Sequence, residues 1–173
     1  MKRILCLCLT LLLLGVLLGC DAGNADGNVE FYYQRVSYVY GADDGVIAAE
    51  SREVSERSNT LTYVLSLYLR GPLDADLKAP FPTSTKLLSV TQDGSTLCVT
   101  LDSTFTALKN MELTIACSCI ARTCFSLADV TQVQIRSIAP NSADSVNMVI
   151  SVDSLLLEDN SGLPPQTVTE ESQ

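Results

Sequence analysis

The order of apolar runs along this chain predicts an α+β fold. We expect a two-layer α/β sandwich, one mixed or antiparallel sheet with two helices packed on one face, in the order ββαββαββ. Three observations predict it. Short β-rich runs come in pairs, and two stretches of helical periodicity separate the pairs. Gly, Pro and Asp-Gly signals punctuate nearly every junction. The composition, 47% hydrophobic and 18% charged over 173 residues, supports one packed domain with appendages.

Val29 to Tyr40 (VEFYYQRVSYVY) is aromatic and β-branched and reads as a strand or a bent strand pair. Gly41 to Gly45 is a turn cluster, and Val46 to Val54 is the second short strand. Ser58 or Asn59 can cap the first helix. Leu61, Val64, Leu65 and Tyr68 follow the i, i+3, i+4, i+7 rule along one apolar stripe. Gly71 can take the left-handed conformation after its end, and Pro72 blocks continuation.

A loop marked by Pro80 and Pro82 leads to the strand Lys86 to Thr91. Gln92-Asp93-Gly94-Ser95 is the strongest hairpin signal in the chain. Leu97, Val99 and Leu101 alternate along the return strand and so share a face. Asp102-Ser103-x-Phe105 leaves the sheet. The second helix runs from about Leu108 to Leu127, with Leu113, Cys117, Ile120, Cys124 and Leu127 as its stripe. Val130 to Ile138 and Val146 to Val152 are the last strands, joined by a turn over Asn141 to Asp144. The domain therefore extends over residues 29–157. Residues 158–173, with Pro164-Pro165 and few apolar side chains, read as a disordered tail.

The N-terminus carries Lys2 and Arg3 and then an apolar run from Ile4 to Leu18. That run is shorter than the roughly 20 residues of a spanning helix. Leu17-Leu18-Gly19-Cys20 follows and resembles a bacterial lipobox: small residues for a signal peptidase, then a thiol for acylation. Residues 1–19 are thus expected to be a lipoprotein signal peptide, Cys20 the lipidation site bearing palmitate-class acyl chains, and residues 20–28 a polar tether. This puts the domain on the extracytoplasmic face of the cell membrane.

The formal net charge of −9 argues against nucleic acid, whose phosphates need a basic face. The chain has no histidine. Ser-His-Asp and Cys-His nucleophilic machinery and His-containing zinc sites are therefore excluded. Candidates for an acid/base or Ser-Lys set are pairs such as Asp43 with Asp44, or Ser84 with Lys86. Both lie in loops without a supporting motif. We expect no catalytic residue, no cofactor and no metal. Once Cys6 and Cys8 leave with the leader and Cys20 is acylated, Cys98, Cys117, Cys119 and Cys124 remain. Cys117 and Cys124 lie about 10 Å apart along one helix, beyond disulfide reach. At most one bridge, from Cys98 to the helix, is open to them. Otherwise they serve as small buried hydrophobes, and a metal or redox cluster is the remaining alternative.

Leu69-Arg70-Gly71-Pro72, Pro82, Lys86-Leu87-Leu88-Ser89-Val90, Asp93-Gly94, Val99-x-Leu101-Asp102-Ser103 and Phe105 together resemble the GerMN domain, the sporulation and spore-germination domain. Ile120 to Cys124 through Val130, Val133 and Ile135, and Asp44-Gly45 through Arg52, fit the same pattern. Where the family commonly has Asn-Thr-Leu near the end of the second helix, this chain has Arg122-Thr123-Cys124. The resemblance implies an α/β domain similar to ring-building-motif-like domains, with protein partners in the cell envelope or the spore-forming apparatus, and no catalytic residues. The expected function is a lipid-anchored, non-enzymatic assembly or binding module in sporulation, germination or envelope function. A surface lipoprotein that binds a wall fragment or nutrient is the alternative, on the cue of Tyr32, Tyr33, Tyr38 and Tyr40.

Overall fold

The computed structural model describes residues 27–38, 45–54, 60–139 and 145–155. The expected leader (1–19), Cys20, the expected tether (20–28) up to residue 26, the expected turns at Asp43-Asp44 and 141–144, Tyr40, Ser58, Asn59 and the expected tail (158–173) lie outside them.

Among the described residues, seven strands and three helices follow in chain order. They are β1 (Asn28–Arg35), β2 (Ile47–Glu53), α1 (Leu61–Tyr68), β3 (Leu77–Lys78), β4 (Leu87–Asp93), β5 (Thr96–Leu101), a 3-10 turn (Ser103–Ala107), α2 (Asn110–Leu127), β6 (Gln132–Ser137), β7 (Val146–Ser151) and α3 (Val152–Leu155). The ββαββαββ order is the one the sequence predicts, with a two-residue strand added after α1 and the short α3 added after β7.

The α+β sandwich stands, but its strands divide into two sheets: β2-β1-β3, and β4-β5-β6-β7. The reason is α2. Cys117 and Cys119 point about 200° apart on a helix of 3.6 residues per turn. Both are fully buried, as are Ala116, Ile120, Ala121, Thr123 and Cys124. A helix buried on opposite sides has neighbours on both. It packs on β1 on one side and on β6 and β7 on the other. Its side chains are small enough to allow that approach, so the single apolar stripe expected from sequence is only half of its contact surface.

Several local signals have structural counterparts among the described residues. Thr60, rather than Ser58 or Asn59, caps α1, its hydroxyl accepting from the Tyr63 N–H. Gly71 holds φ +93° and ends that helical segment. The β4–β5 hairpin turns on Gly94 (φ +57°) and Ser95, with Asp93 paired to Thr96. The β5–β6 pair is parallel, as a crossover through α2 requires, and β6–β7 is antiparallel. One contiguous core joins Phe31, Tyr33, Tyr68, Leu97, Val99, Phe105, Ile120 and Ile135. Burying side chains of this size contributes about 1.5–3 kcal/mol each.

Candidate functional site

Two polar clusters at the core boundary turn out to be structural. In the first, Glu50 and Arg52 point inward from β2 and form an ion pair. The Glu50 carboxylate accepts from the backbone N–H groups of Leu73 and Asp74, each at 2.9 Å. Arg52 Nη2 donates to the Gly71 carbonyl at 2.7 Å, and its guanidinium lies over the rings of Phe31 (5.0 Å) and Tyr33 (5.6 Å). Burial works against the charged form of Glu50. The hydrogen bond from Arg52 and the two backbone donors outweigh it and hold the carboxyl below its ordinary value. Through the Gly71 carbonyl and the Leu73 and Asp74 amides, this clamp fastens the loop after α1 to the first hairpin. Behind it, Tyr33 stacks on Tyr68 at 4.9 Å, and Phe31 and Phe81 close the aromatic group.

In the second cluster, Asp102 Oδ1 accepts from the Lys86 N–H (3.0 Å), and Oδ2 accepts from the Thr104 hydroxyl (3.0 Å). Buried Ser137 donates to the Asp102 carbonyl at 2.6 Å. The Asp-Ser-x-Phe exit is therefore a clasp joining the start of β4, the end of β5 and the end of β6, and it positions buried Phe105.

The predicted site residues distribute as follows. Ser84 and Lys86 are both exposed on the approach to β4. Tyr33 lies in the core with its hydroxyl donated to the Tyr68 carbonyl at 2.8 Å, while Tyr32 is half-buried on the opposite face of β1. The tyrosines of β1 thus do not line one concavity. Cys98, Cys117, Cys119 and Cys124 are all free thiols. Burial pushes Cys117 and Cys124 up to about 12, so they pack as inert small hydrophobes. Among the described residues no group of three or more Cys, Asp or Glu side chains could hold a metal ion.

One face that the fold leaves to solvent is the outer face of the four-stranded sheet. The inner face presents Leu97, Val99, Leu101, Val133 and Ile135 to the core. Their neighbours in sequence therefore point outward: Thr96, Cys98 and Thr100 on β5, Gln132, Gln134 and Arg136 on β6, Asn147, Val149 and Ser151 on β7. Gln134 is the hub. Its Oε1 accepts from Arg136 Nη2 (2.8 Å) and from Cys98 Sγ (3.3 Å), and its Nε2 donates to Asn147 Oδ1 (2.9 Å). This polar ladder crosses three strands. Each strand shows the alternation in sequence (TLCVTL, QVQIRS), but only pairing reveals that the outward residues meet.

Comparison with known proteins adds the following. The family model Germane, described as sporulation and spore germination, matches residues 33–137, more than half of the chain. The first GerMN domain of the sporulation protein GerM from Bacillus subtilis is similar in fold, with TM-score 0.50 and 18% identity over 64% of this chain and 81% of that one. The tandem GerMN domains of the same protein give TM-score 0.50 and 16% identity, covering 76% of this chain and 47% of that one. No curated protein matches the chain.

Proposed function

The chain belongs to the Germane family of sporulation and spore-germination domains, and from that membership we propose that it is a lipid-anchored, non-enzymatic binding module. It sits at the outer face of the cell membrane, tethered by acylated Cys20, and holds a protein partner of the envelope or of the spore-forming apparatus. The observation that carries this reading is the polar ladder around Gln134 on the outer sheet face. Exposed and half-buried hydrogen-bonding groups that carry a single charge, on Arg136, suit a reversible contact with another protein. Confinement by the Cys20 anchor raises the effective concentration of such a contact.

The test is a cross-linked pull-down of the full-length protein from its host's membranes, during growth and during spore formation, with wild type and the Gln134→Lys variant. Metabolic labelling with a palmitate analogue runs alongside on wild type and Cys20→Ala. The expected result is an envelope or spore-apparatus protein recovered with wild type, depleted in Gln134→Lys, and a lipid label that disappears in Cys20→Ala. Equal recovery from both proteins removes the outer face from the proposal, and a label retained in Cys20→Ala removes the anchor.

A further inference from the structure

The edges of the two sheets are not alike. An edge strand exposes a row of unpaired N–H and C=O groups, and stable monomers blunt it with charge, irregularity or brevity. β2 carries Glu50, Arg52 and Glu53. β3 has two residues. β4 follows Lys86, and its register shifts between Leu87 and Ser89. β7 has none of these devices: Val146–Ser151 (VNMVIS) contains no charge and no proline, and it pairs with β6 in unbroken register. Among the described residues no strand lies on its other edge.

The side chains of β7 match that open edge. Met148 and Ile150 lie on the inner face, partly buried against the core, and Val149 on the outer face is 54% exposed. A strand added here would complete the cover of Met148 and Ile150 and bury Val149. We propose that the occupant is β7 of a second copy of this chain, paired antiparallel about a twofold axis. Two arguments select a second copy. The chain carries a net charge of −9, so two copies repel each other on the whole, and along β7 itself they can meet without a carboxylate on either strand. The strand is also complementary to itself. With Val149 against Val149 at the axis, Met148 faces Ile150 of the other copy on the inner side, and Asn147 faces Ser151 on the outer side. Apolar side chains meet apolar ones and polar meet polar, as an isologous contact requires. The two four-stranded sheets become one continuous sheet with both cores on the same side.

This inference is independent of the Germane reading, because its test needs this protein alone. The full-length chain in mild detergent is followed by sedimentation across a range of concentrations. The expected result is a reversible monomer–dimer equilibrium. Val149→Lys, which sets like charges against each other at the axis, raises the half-dimerisation concentration at least tenfold and leaves the denaturation midpoint unchanged when both proteins are diluted to the monomer. Val149→Cys gives an oxidant-induced dimer whose cross-link maps to position 149 on both copies. A chain that is monomeric at all concentrations overturns the proposal. So does a Val149→Lys protein that dimerises like wild type, or a cross-link that maps elsewhere.

Discussion

Thr123 on α2 accepts a hydrogen bond from the backbone N–H of Tyr32 on β1 at 2.9 Å, so a helix hydroxyl stands where a neighbouring strand would be. β3 reaches only Gln34 and Arg35 on that edge. Further along, the Tyr68 hydroxyl donates to the Tyr32 carbonyl (2.9 Å) and Ser126 donates to the Glu30 carbonyl (2.9 Å). Thr123→Val keeps the shape and removes the acceptor. We expect a loss of about 1–3 kcal/mol, the cost of an unsatisfied buried amide, read from urea denaturation. A loss below a few tenths of a kcal/mol would mean that the hydroxyl is not what satisfies this edge.

Glu50→Gln tests the clamp on the loop after α1. The carboxyl is held below its ordinary 4.5, so its contribution is present above that value and is lost as pH falls through the lower folded-state value. At neutral pH the variant should lose about 1.5–3 kcal/mol, the worth of hydrogen bonds to a charged group. Its stability should fall less steeply than that of wild type between neutral and strongly acidic pH. Parallel acid profiles would assign the pH dependence to other carboxylates.

At Gly71 the backbone conformation, not space, sets the outcome of substitution. A Cβ there would meet Ala79 Cβ at 3.8 Å, an ordinary contact, but φ is +93°. Gly71→Ala should therefore cost about 1–2 kcal/mol through strain alone. Gly94→Asn in the hairpin, where φ is +57° and nothing lies within 4 Å, should cost less, since Asn tolerates the left-handed region. Denaturation midpoints of the two variants compare directly.

The thiols should separate by reactivity. With a small alkylating reagent at neutral pH, half-exposed Cys98 should label in the native state, while Cys117, Cys119 and Cys124 label only at the rate of unfolding. Cys117 and Cys124 are raised from 9.0 to about 12, so their neutral forms stabilise the fold below the lower value. That stability is lost as pH rises from about 9 to about 12. A Cys117→Ala/Cys124→Ala protein should be less stable at neutral pH and flatter over that alkaline window.

Much of this fold is legible in the sequence wherever the signal is local. Gly71-Pro72 stops the first helical segment, Asp93-Gly94 turns the hairpin, and the alternation of Leu97, Val99 and Leu101 picks out the buried face of β5. The division into two sheets is not local. It depends on Cys119 and Thr123 being as buried as Cys117, and a periodicity count reads the small polar side of α2 as its solvent side. The outer-face ladder is legible strand by strand but not as a site, because Gln134 meets Asn147 and Cys98 only through sheet pairing.

The hydroxyl-capped edge of β1 also bears on the order in which the chain can fold. Its Tyr32 amide waits for a residue 91 positions later, and its Glu30 carbonyl for one 96 positions later. Contacts of such long range are slow to form, because loop-closure entropy is lost before they can reward it. As the chain is synthesised, the β1–β2 hairpin can pair early, and β3 and Tyr68 can reach part of its other edge, but the Tyr32 amide and the Glu30 carbonyl stay uncovered until α2 has emerged. Completion of the first sheet is therefore expected to be a late event, set by how soon the second helix arrives.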